Sequence, residues 1–411
     1  MIFRTTINQK GSIMKIRVAM LFGGKSVEHE VSVISGIQAY LNLDSSKYEA
    51  IPVYLTKHNE MYIGDQIGNI EAYKDIDKLI TQSHRVILVG EEDRYYLEEY
   101  PAKAFRKPKK QEIDVVFPVV HGTNVEDGTL QGYLKTIGVP FVGCDVLSSA
   151  VGMDKMIMKT VLKYYGIPVL DGLTFNTSDY ADVDRIIEKV ESSFSFPVIV
   201  KPVNLGSSVG IRLAANRDEL ISAVDEAFCY SGRVLIEHAI EHLREINCSV
   251  LGDERKAEAS ECEEPIHTDE ILSYKDKYIG NGKTKGAKSG GSKGMASASR
   301  KIPADLSPER REEIRETAVR AFKCLCCSGV SRLDFMIDED TGKLYLNEIN
   351  TIPGSLAFYL WEPLGVSFPE LLDRMISLGL DRAKREKART FSFQTNILST
   401  AKMSGLKGAK A

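Results

Sequence analysis

This 411-residue chain lacks any run of about 18 apolar residues, the length a membrane-spanning helix needs, so no membrane span is expected. Met1 to Ile13 contains Arg4, Asn8, Gln9 and Lys10 and has no apolar stretch ending in a small-residue cleavage site, so it does not read as a secretory signal. Cysteine is sparse and odd in number: seven residues, with Cys324, Cys326 and Cys327 crowded together and no second Cys-x-x-Cys motif to complete a zinc site. That usage fits reduced thiols and a cytoplasmic location. Neither charge sign dominates, with 53 basic against 57 acidic side chains, which argues against a chain built mainly to hold nucleic acid.

The common nucleotide signatures are missing too. No Gly-x-Gly-x-x-Gly follows the first strand-like run. A phosphate loop fails twice, because Ala19 stands where Gly24-Lys25-Ser26 would need glycine and Lys277 where Gly282-Lys283-Thr284 would. His29-Glu30 does not continue into a His-Glu-x-x-His zinc motif.

What is present is a soluble globular composition, 43% hydrophobic and 27% charged, long enough for two to four domains at roughly 150 residues each. From Met14 onward, Ile16 to Phe22 is an apolar run ending in Gly23-Gly24, and Val31, Ile34, Ile37 and Leu41 then recur at helical spacing. Apolar runs at Ile51 to Leu55, Val86 to Val89 and Val115 to Val120 alternate with polar segments, which predicts a parallel sheet with crossover helices over residues 14–143. A helix over Val146 to Tyr165, strands at Val198 to Val203 and Val209 to Leu213, and a helix over Asp218 to Tyr230 predict an α+β unit over 144–233. A third unit, 234–382, carries strands at Val234 to Glu237, Ile246 to Leu251, Ser331 to Ile337 and Leu344 to Asn350, with a helix from Pro308 to Cys326. Within it Gly280 to Ser299 is rich in glycine and lysine and has no acid, the composition of a mobile loop, here 274–302. Residues 383–411 read as a basic tail with a solvated, frayed end.

The carboxylates near the end of the chain are the most informative feature. Arg332 and Asp334 alternate on one strand, Glu348 and Asn350 on the next, and Asp338-Glu339-Asp340-Thr341-Gly342 is the turn between them. A hairpin centred on Thr341 pairs 332 with 350 and 334 with 348, so four polar side chains share one face. Two carboxylates and an amide oxygen are hard ligands of the kind Mg²⁺ uses beside substrate phosphates. The same pattern also describes an exposed, salt-bridged hairpin.

Cations and backbone donors that could serve phosphates lie elsewhere. Lys201 ends an apolar strand, and Gly206-Ser207-Ser208-Val209-Gly210 could bring its amides close to phosphate oxygens. His121-Gly122 with Glu126-Asp127-Gly128 follows the strand ending at Val120, and Glu28 follows the first strand, so both sit at the carboxyl edge where α/β sheets bind ligands. Each acid alone could equally be a helix cap.

Taken in order, these segments resemble the D-alanine:D-alanine ligases of the ATP-grasp superfamily. The resemblance runs from about Lys15 to Arg382 and includes Gly23-Gly24-Lys25-Ser26-Val27-Glu28-His29-Glu30, His121-Gly122, Met153-Asp154-Lys155, Lys201-Pro202, Gly206-Ser207-Ser208-Val209-Gly210, Tyr274-Lys275-Asp276-Lys277-Tyr278, Arg332-Leu333-Asp334 and Glu348-Ile349-Asn350-Thr351-Ile352-Pro353-Gly354. It implies an ATP-grasp fold, α/β and α+β, with an N-terminal Rossmann-like open parallel sheet followed by two α+β subdomains. It also implies a cytoplasmic ligase that splits ATP to join two D-alanines through an acyl phosphate for peptidoglycan synthesis. D-serine or D-lactate as second substrate is the alternative. No nucleic acid is expected as a partner, and a homodimer is.

By the same resemblance, Asp334, Glu348 and Asn350 would hold two Mg²⁺ (or Mn²⁺) ions, with activation by K⁺ left open. Lys155, Lys201, Ser208, Glu237, Ile240, Glu245 and Lys277 would contact ATP. Glu28, Ser207, Tyr278 and Arg332 would be catalytic: Glu28 on the first ammonium, Ser207 linking it to the loop, Tyr278 in the dipeptide-forming loop type, and Arg332 on the tetrahedral oxyanion. His121, Gly354, Ser355, Tyr359 and Leu360 would face substrate. The chain departs from the family pattern in its longer loop after Tyr278 and in the run Ser355-Leu356-Ala357-Phe358-Tyr359-Leu360, where the family often shows Thr and Ser; Val125 replaces a small residue before Glu126.

Overall fold

The computed structural model describes residues 15–102, 105–206, 209–266 and 300–390. The first sheet holds β1 (Ile16–Gly23), β2 (Tyr48–Leu55), β3 (Met61–Ile63), β4 (His84–Glu91), β5 (Arg94–Glu99), β6 (Lys110–Ile113) and β7 (Val115–Pro118), in the order β6-β5-β4-β3-β2-β1-β7. Strand β1 is parallel to both neighbours and is buried from Val18 to Gly23, as an unbroken apolar run should be when both faces are covered. Helix α1 (His29–Asn42) makes the crossover from β1 to β2.

The expected parallel sheet is therefore its core, but Val86 to Val89 do not belong to it. They lie in β4, part of an antiparallel run from β2 through β6. The connections 56–60 and 92–93 are far too short for the dozen or more residues a parallel crossover requires. Helix α2 (Ile76–Thr81) is the only α-helix described inside that run.

Helices α3 (Thr129–Ile137), α4 (Val146–Met153) and α5 (Lys155–Tyr164) lead to the second unit. The helix expected over Val146 to Tyr165 is two, because Asp154 is extended (φ -87°, ψ 100°) and its carboxylate caps α5 by accepting from the Ile157 amide at 2.9 Å. Helices α6 (Val183–Ser193) and α7 (Arg217–Tyr230) pack Ile186, Ile187, Val190, Leu220 and Val224 onto Val198, Val200, Val234 and Ile236 of an antiparallel sheet. Its strands β8 (Gly172–Asn176), β9 (Val198–Pro202), β10 (Arg212–Ala214) and β11 (Arg233–His238) run in the order β10-β9-β11-β8. Strand β11, which the sequence reading placed at the head of the third unit, lies inside this sheet between β9 and β8.

The third sheet is antiparallel, β14-β13-β12-β15-β16, built from β12 (Leu243–Gly252), β13 (Ala257–Pro265), β14 (Arg300–Lys301), β15 (Gly329–Asp338) and β16 (Lys343–Asn350). Alternation divides its faces. Ile246, Cys248, Val250, Leu333, Phe335, Ile337, Leu344, Leu346 and Ile349 are buried with Ile314, Ala318, Ala321 and Phe322 of helix α8 (Pro308–Cys324). The opposite face carries Asn247, Ser249, Arg332, Asp334, Glu348 and Asn350. It is closed at one end by the single tryptophan, Trp361, whose Nε1–H donates to Ser249 Oγ at 3.1 Å. Trp361 and Leu360 belong to one core with the N-terminal sheet and helix α9 (Phe368–Lys387). The helix end expected in the basic tail is the last part of α9, and residues 391–411 lie outside the described residues.

Candidate active site

The hairpin pairs Arg332 with Asn350 and Asp334 with Glu348, as the spacing predicts, but the turn alone does not produce that register. Below Asp334 the pairing shifts to Phe335 with Leu346, so Asn347 is an extra residue in a bulge that restores the predicted register where the acids lie. Pairing across the sheet then places Glu263, Asn247, Asp334 and Glu348 in one row over four strands.

The charges in this row are balanced by side chains. Arg332 forks onto Asp334 with Nε to Oδ1 and Nη2 to Oδ2 both at 2.7 Å, and Asn350 Nδ2 donates to Asp334 Oδ2 at 3.0 Å. Burial opposes the Arg332 charge, but Asp334 overrides it and holds the guanidinium well above its ordinary pKa. Lys155 Nζ lies 3.4 Å from Glu348 Oε2. Among the described residues no three His, Cys, Asp or Glu side chains gather as a metal cluster. Two carboxylates with an amide oxygen instead suit a hard ion that completes its shell with phosphate and water, and this set fits Mg²⁺.

Lysines converge from the second unit. Lys155 and Lys159 lie one turn apart on α5, and Lys155 Nζ donates to Leu205 O at 2.7 Å. Lys159 and Lys201 both ion-pair with Glu237, and all three side chains are buried. Burial opposes the Glu237 charge, yet the two ammonium groups hold its carboxyl below the usual range; burial lowers Lys159 to about 8. Lys201 also reaches Asn347 Oδ1 at 3.4 Å, which ties the second sheet to the bulge. Each Glu237 oxygen thus faces a lysine ammonium.

Glu28 arrives from the N-terminal unit. Gly23, at φ +98°, makes the turn after β1, where a Cβ would lie 2.3 Å from Leu55 O. The Glu28 carboxylate lies against Gly122 and Gly206, where Cβ atoms would stand 3.0 and 3.3 Å from its Oε2. A crevice lined by Glu28, Glu126, Lys155, Gly206, Glu348 and Asn350 joins the three units. Glu126 bridges two of them by accepting from the Gly122 amide at 2.8 Å and the Ile352 amide at 3.0 Å. Burial first, then Glu28, pushes its carboxyl up to about 8.

His121 does not offer a ring nitrogen to that crevice. Its Nδ1 meets Ile352 O at 2.7 Å and its Nε2 meets Ser35 Oγ at 2.9 Å, while Ser35 Oγ accepts from the Ser355 amide at 3.0 Å. Burial keeps the imidazole pKa below its ordinary value. The segment held this way is unusual: Ser355, Leu356 and Ala357 are left-handed at φ 52°, 52° and 50°, none is glycine, and all are buried.

The structure therefore brings together Glu28, Lys155, Lys201, Arg332, Asp334, Glu348 and Asn350, with Glu237 behind the lysines. Gly354 is half-buried beside the left-handed turn, the Ser355 hydroxyl is buried in it, and the buried Tyr359 hydroxyl lies 3.4 Å from Glu263 Oε1. Leu360 is fully buried in the core and does not line the crevice. Ile240 lies in the β11–β12 connection, and Glu245 lies on β12 opposite Met336. Ser207, Ser208, Lys277 and Tyr278 lie outside the described residues. The sequence gives no role to Ser35, Lys159, Asn247, Glu263 or Arg300, and it puts Glu126 at the ligand-binding edge of the first sheet, or in a helix cap, without a role of its own. Only Lys159 carried a local signal, its spacing of four from Lys155.

Three sheets, the last two antiparallel and joined through buried lysines to a carboxylate–amide stripe, define an ATP-grasp protein. The comparisons narrow this further. The family description "D-ala D-ala ligase N-terminus" matches residues 17–144 and "D-ala D-ala ligase C-terminus" matches 161–377, so the chain belongs to the D-alanine:D-alanine ligase family. It is 42% identical to the D-alanine–D-alanine ligase of Caldicellulosiruptor bescii over 388 residues, covering 92% of this chain and 99% of that protein. The Coxiella burnetii D-alanine-D-alanine ligase structure matches with a TM-score of 0.72 and 32% identity, over 91% of this chain and 96% of that one. The VanG D-Ala:D-Ser ligase of Enterococcus faecalis matches with a TM-score of 0.72 and 30% identity, over 89% of this chain and all of that one.

Proposed function

We propose that this chain joins two D-alanines into D-alanyl-D-alanine at the expense of ATP, for peptidoglycan precursor synthesis. The observation that carries the reading is the meeting in one crevice of Glu28, Lys155 and the Glu348–Asn350 end of the carboxylate stripe.

A carboxylate is a poor electrophile with a poor leaving group. Transfer of the γ-phosphoryl group to the first D-alanine's carboxylate oxygen releases ADP and supplies a leaving group. Glu28 holds that substrate's ammonium, while Lys155 and Lys201 neutralise phosphate oxygens. Asp334, Glu348 and Asn350 would hold two Mg²⁺, which supply charge neutralisation across the transferring phosphates. The second D-alanine's amine then attacks the acyl carbon, Arg332 stabilises the oxyanion, and phosphate leaves as the C–O bond breaks. Glu237 and Lys159 orient Lys201, and Glu126 and His121 fix the loop that follows Asn350.

Ser207 and Tyr278 belong to this proposal through family resemblance, as do Ser208 and Lys277 on ATP. Ile240 and Glu245 lie near the connection that would face the nucleoside. The VanG likeness favours one second reading, D-serine as acceptor, with Tyr278 and Ser355 to Tyr359 as the segments that decide it. A cytoplasmic homodimer is part of the proposal. No helix among the described residues is long and apolar enough to cross a membrane. Phosphate release from Mg-ATP with D-alanine alone, then with added D-serine or D-lactate, and product masses test the reading. A dipeptide from D-alanine alone supports it, release only with another acceptor moves the specificity, and no release with any acceptor refutes it. A K⁺ titration in the same assay reads monovalent activation, and sedimentation reads the oligomer.

A further inference from the structure

Two pairs of buried cysteines lie in the core between the third sheet and α8, and the pairs differ in what surrounds the sulfur. Cys144 stands between the first sheet and α4, Cys327 lies just before β15, and each is 1% exposed. Their backbones approach closely: Gly329 is at φ +80°, and a Cβ there would lie 2.9 Å from Gly143 Cα. Cys327 donates its S–H to Cys144, the Ser328 amide points at the same sulfur, and Ser331 Oγ is 3.8 Å from it. Arg382 Nη1 donates to Gly143 O at 2.5 Å, which sets a buried cation one residue from Cys144.

The bond from Cys327 acts first, and with the amide and hydroxyl it overrides burial and brings the Cys144 thiol down to about 6. Cys327, the donor in that bond, is pushed well above its ordinary value. A thiolate beside a protonated thiol is the arrangement of an attacking and a resolving sulfur. Cys327 directly follows Cys326, which is exposed, so the pair lies one residue beneath the surface. The other pair is built differently. Cys248 and Cys262 stand opposite each other on β12 and β13, but Cys248 Sγ faces Ser249 O at 3.7 Å and Ser260 O at 3.9 Å. Carbonyls only accept, so they favour the protonated sulfur, and Cys262 first, then burial, push the Cys248 thiol up.

We propose that Cys144 and Cys327 are a peroxide-oxidised pair whose disulfide clasps the exit of the first sheet to the head of β15. The Cys144 thiolate attacks one oxygen of hydrogen peroxide, the O–O bond breaks, and the hydroxide released takes up a proton as water. This leaves a sulfenic acid on Cys144. The Cys327 sulfur then attacks the Cys144 sulfur, the S–O bond breaks, and hydroxide leaves with the Cys327 proton as a second water. Two thiols and one peroxide thus give one disulfide and two waters. The bond closes residues 145–326 into one loop, and cross-links over long loops restrict the unfolded chain most. Both cysteines pack with Leu333 and Phe335, on the face of the sheet away from Asp334 and Glu348, so the clasp leaves the crevice open.

Folded wild type, Cys144→Ser and Cys327→Ser are exposed to hydrogen peroxide near neutral pH, unfolded in an alkylating agent, and mapped as unreduced peptides by mass. The wild type should form the Cys144–Cys327 cross-link at least roughly tenfold faster than a Cys248–Cys262 cross-link, the advantage of a thiolate over a protonated thiol. The cross-linked protein should unfold at higher urea than the reduced protein, and dithiothreitol should reverse both changes. Cys327→Ser should stop at a Cys144 sulfenic acid that dimedone captures, and Cys144→Ser should leave Cys327 unmodified. Equal rates for the two pairs, or oxidation confined to exposed Cys326, overturns the proposal. A cross-link that forms without raising the urea midpoint overturns the clasp. Should either variant fail to fold, the wild-type peptide map and urea midpoint decide by themselves.

Discussion

Removing one hydroxyl from the interior of α1 should weaken both the fold and the left-handed segment proposed to face the second substrate. Ser35 is 1% exposed and lies between His121 Nε2 at 2.9 Å and the Ser355 amide at 3.0 Å. The directions of these bonds follow from chemistry. The Ile352 carbonyl can only accept, so His121 Nδ1 carries the proton and Nε2 accepts from Ser35, whose oxygen accepts from Ser355. Ser35→Ala therefore strands a buried imidazole nitrogen and a buried amide. At about 1–3 kcal/mol for each unsatisfied group, the loss should be about 2–6 kcal/mol. The turn held by that amide is itself costly. Three left-handed residues with side chains cost about 3–6 kcal/mol in total, and contacts such as this one must offset it. Urea unfolding with CD should show the lower midpoint, and steady-state kinetics should show a raised KM for the second amino acid with KM for ATP unchanged. A variant within about 0.5 kcal/mol of wild type with unchanged kinetics would refute the relay, since that is the effect of an ordinary surface change.

Three further outcomes are expected. Glu348→Gln should lower turnover at least roughly hundredfold by removing charge opposite the phosphates, while CD remains native because the side chain is 25% exposed; near-normal turnover would remove Glu348 from the metal assignment. Acid should destabilise the protein through His121, because burial lowers its folded pKa below 6.5 and the unfolded state binds the proton first. That stability is present above about pH 6.5 and is lost as pH falls through the folded value, with a slope of up to about 1.4 kcal/mol per pH unit; a His121→Gln variant with the same acid slope would contradict the assignment. Glu237→Leu should cost about 3–5 kcal/mol by leaving buried Lys159 and Lys201 without their shared counter-ion, and a loss below about 1 kcal/mol in urea unfolding would show that the pair is not buried as charge.

Local patterns carried much of the fold. The unbroken apolar run of β1 announced a covered parallel strand, and period-two alternation announced which residues of β15 and β16 share a face. Strand β13 was not legible, because Ala257 to Pro265 is mostly alanine and glutamate, residues depleted in strands; pairing with β12 imposes its conformation. The break at Asp154 was hidden inside a helical periodicity and is visible only through its cap. The left-handed run Ser355 to Ala357 had no glycine to mark it, since surrounding packing and the Ser35 bond hold it.

By itself, then, the sequence determined the chemistry available and the local face on which each group stands: Arg332, Asp334, Glu348 and Asn350 together, with lysine at the end of an apolar strand. Tertiary structure decided which groups meet. Glu28 meets Gly122 within its own unit and reaches Gly206 in the second, Glu237 falls between Lys159 and Lys201, and Arg300 stacks on Tyr359. The physical reason is that strand and helix periods are properties of neighbouring residues, whereas these contacts depend on how three sheets pack, and no local period encodes that.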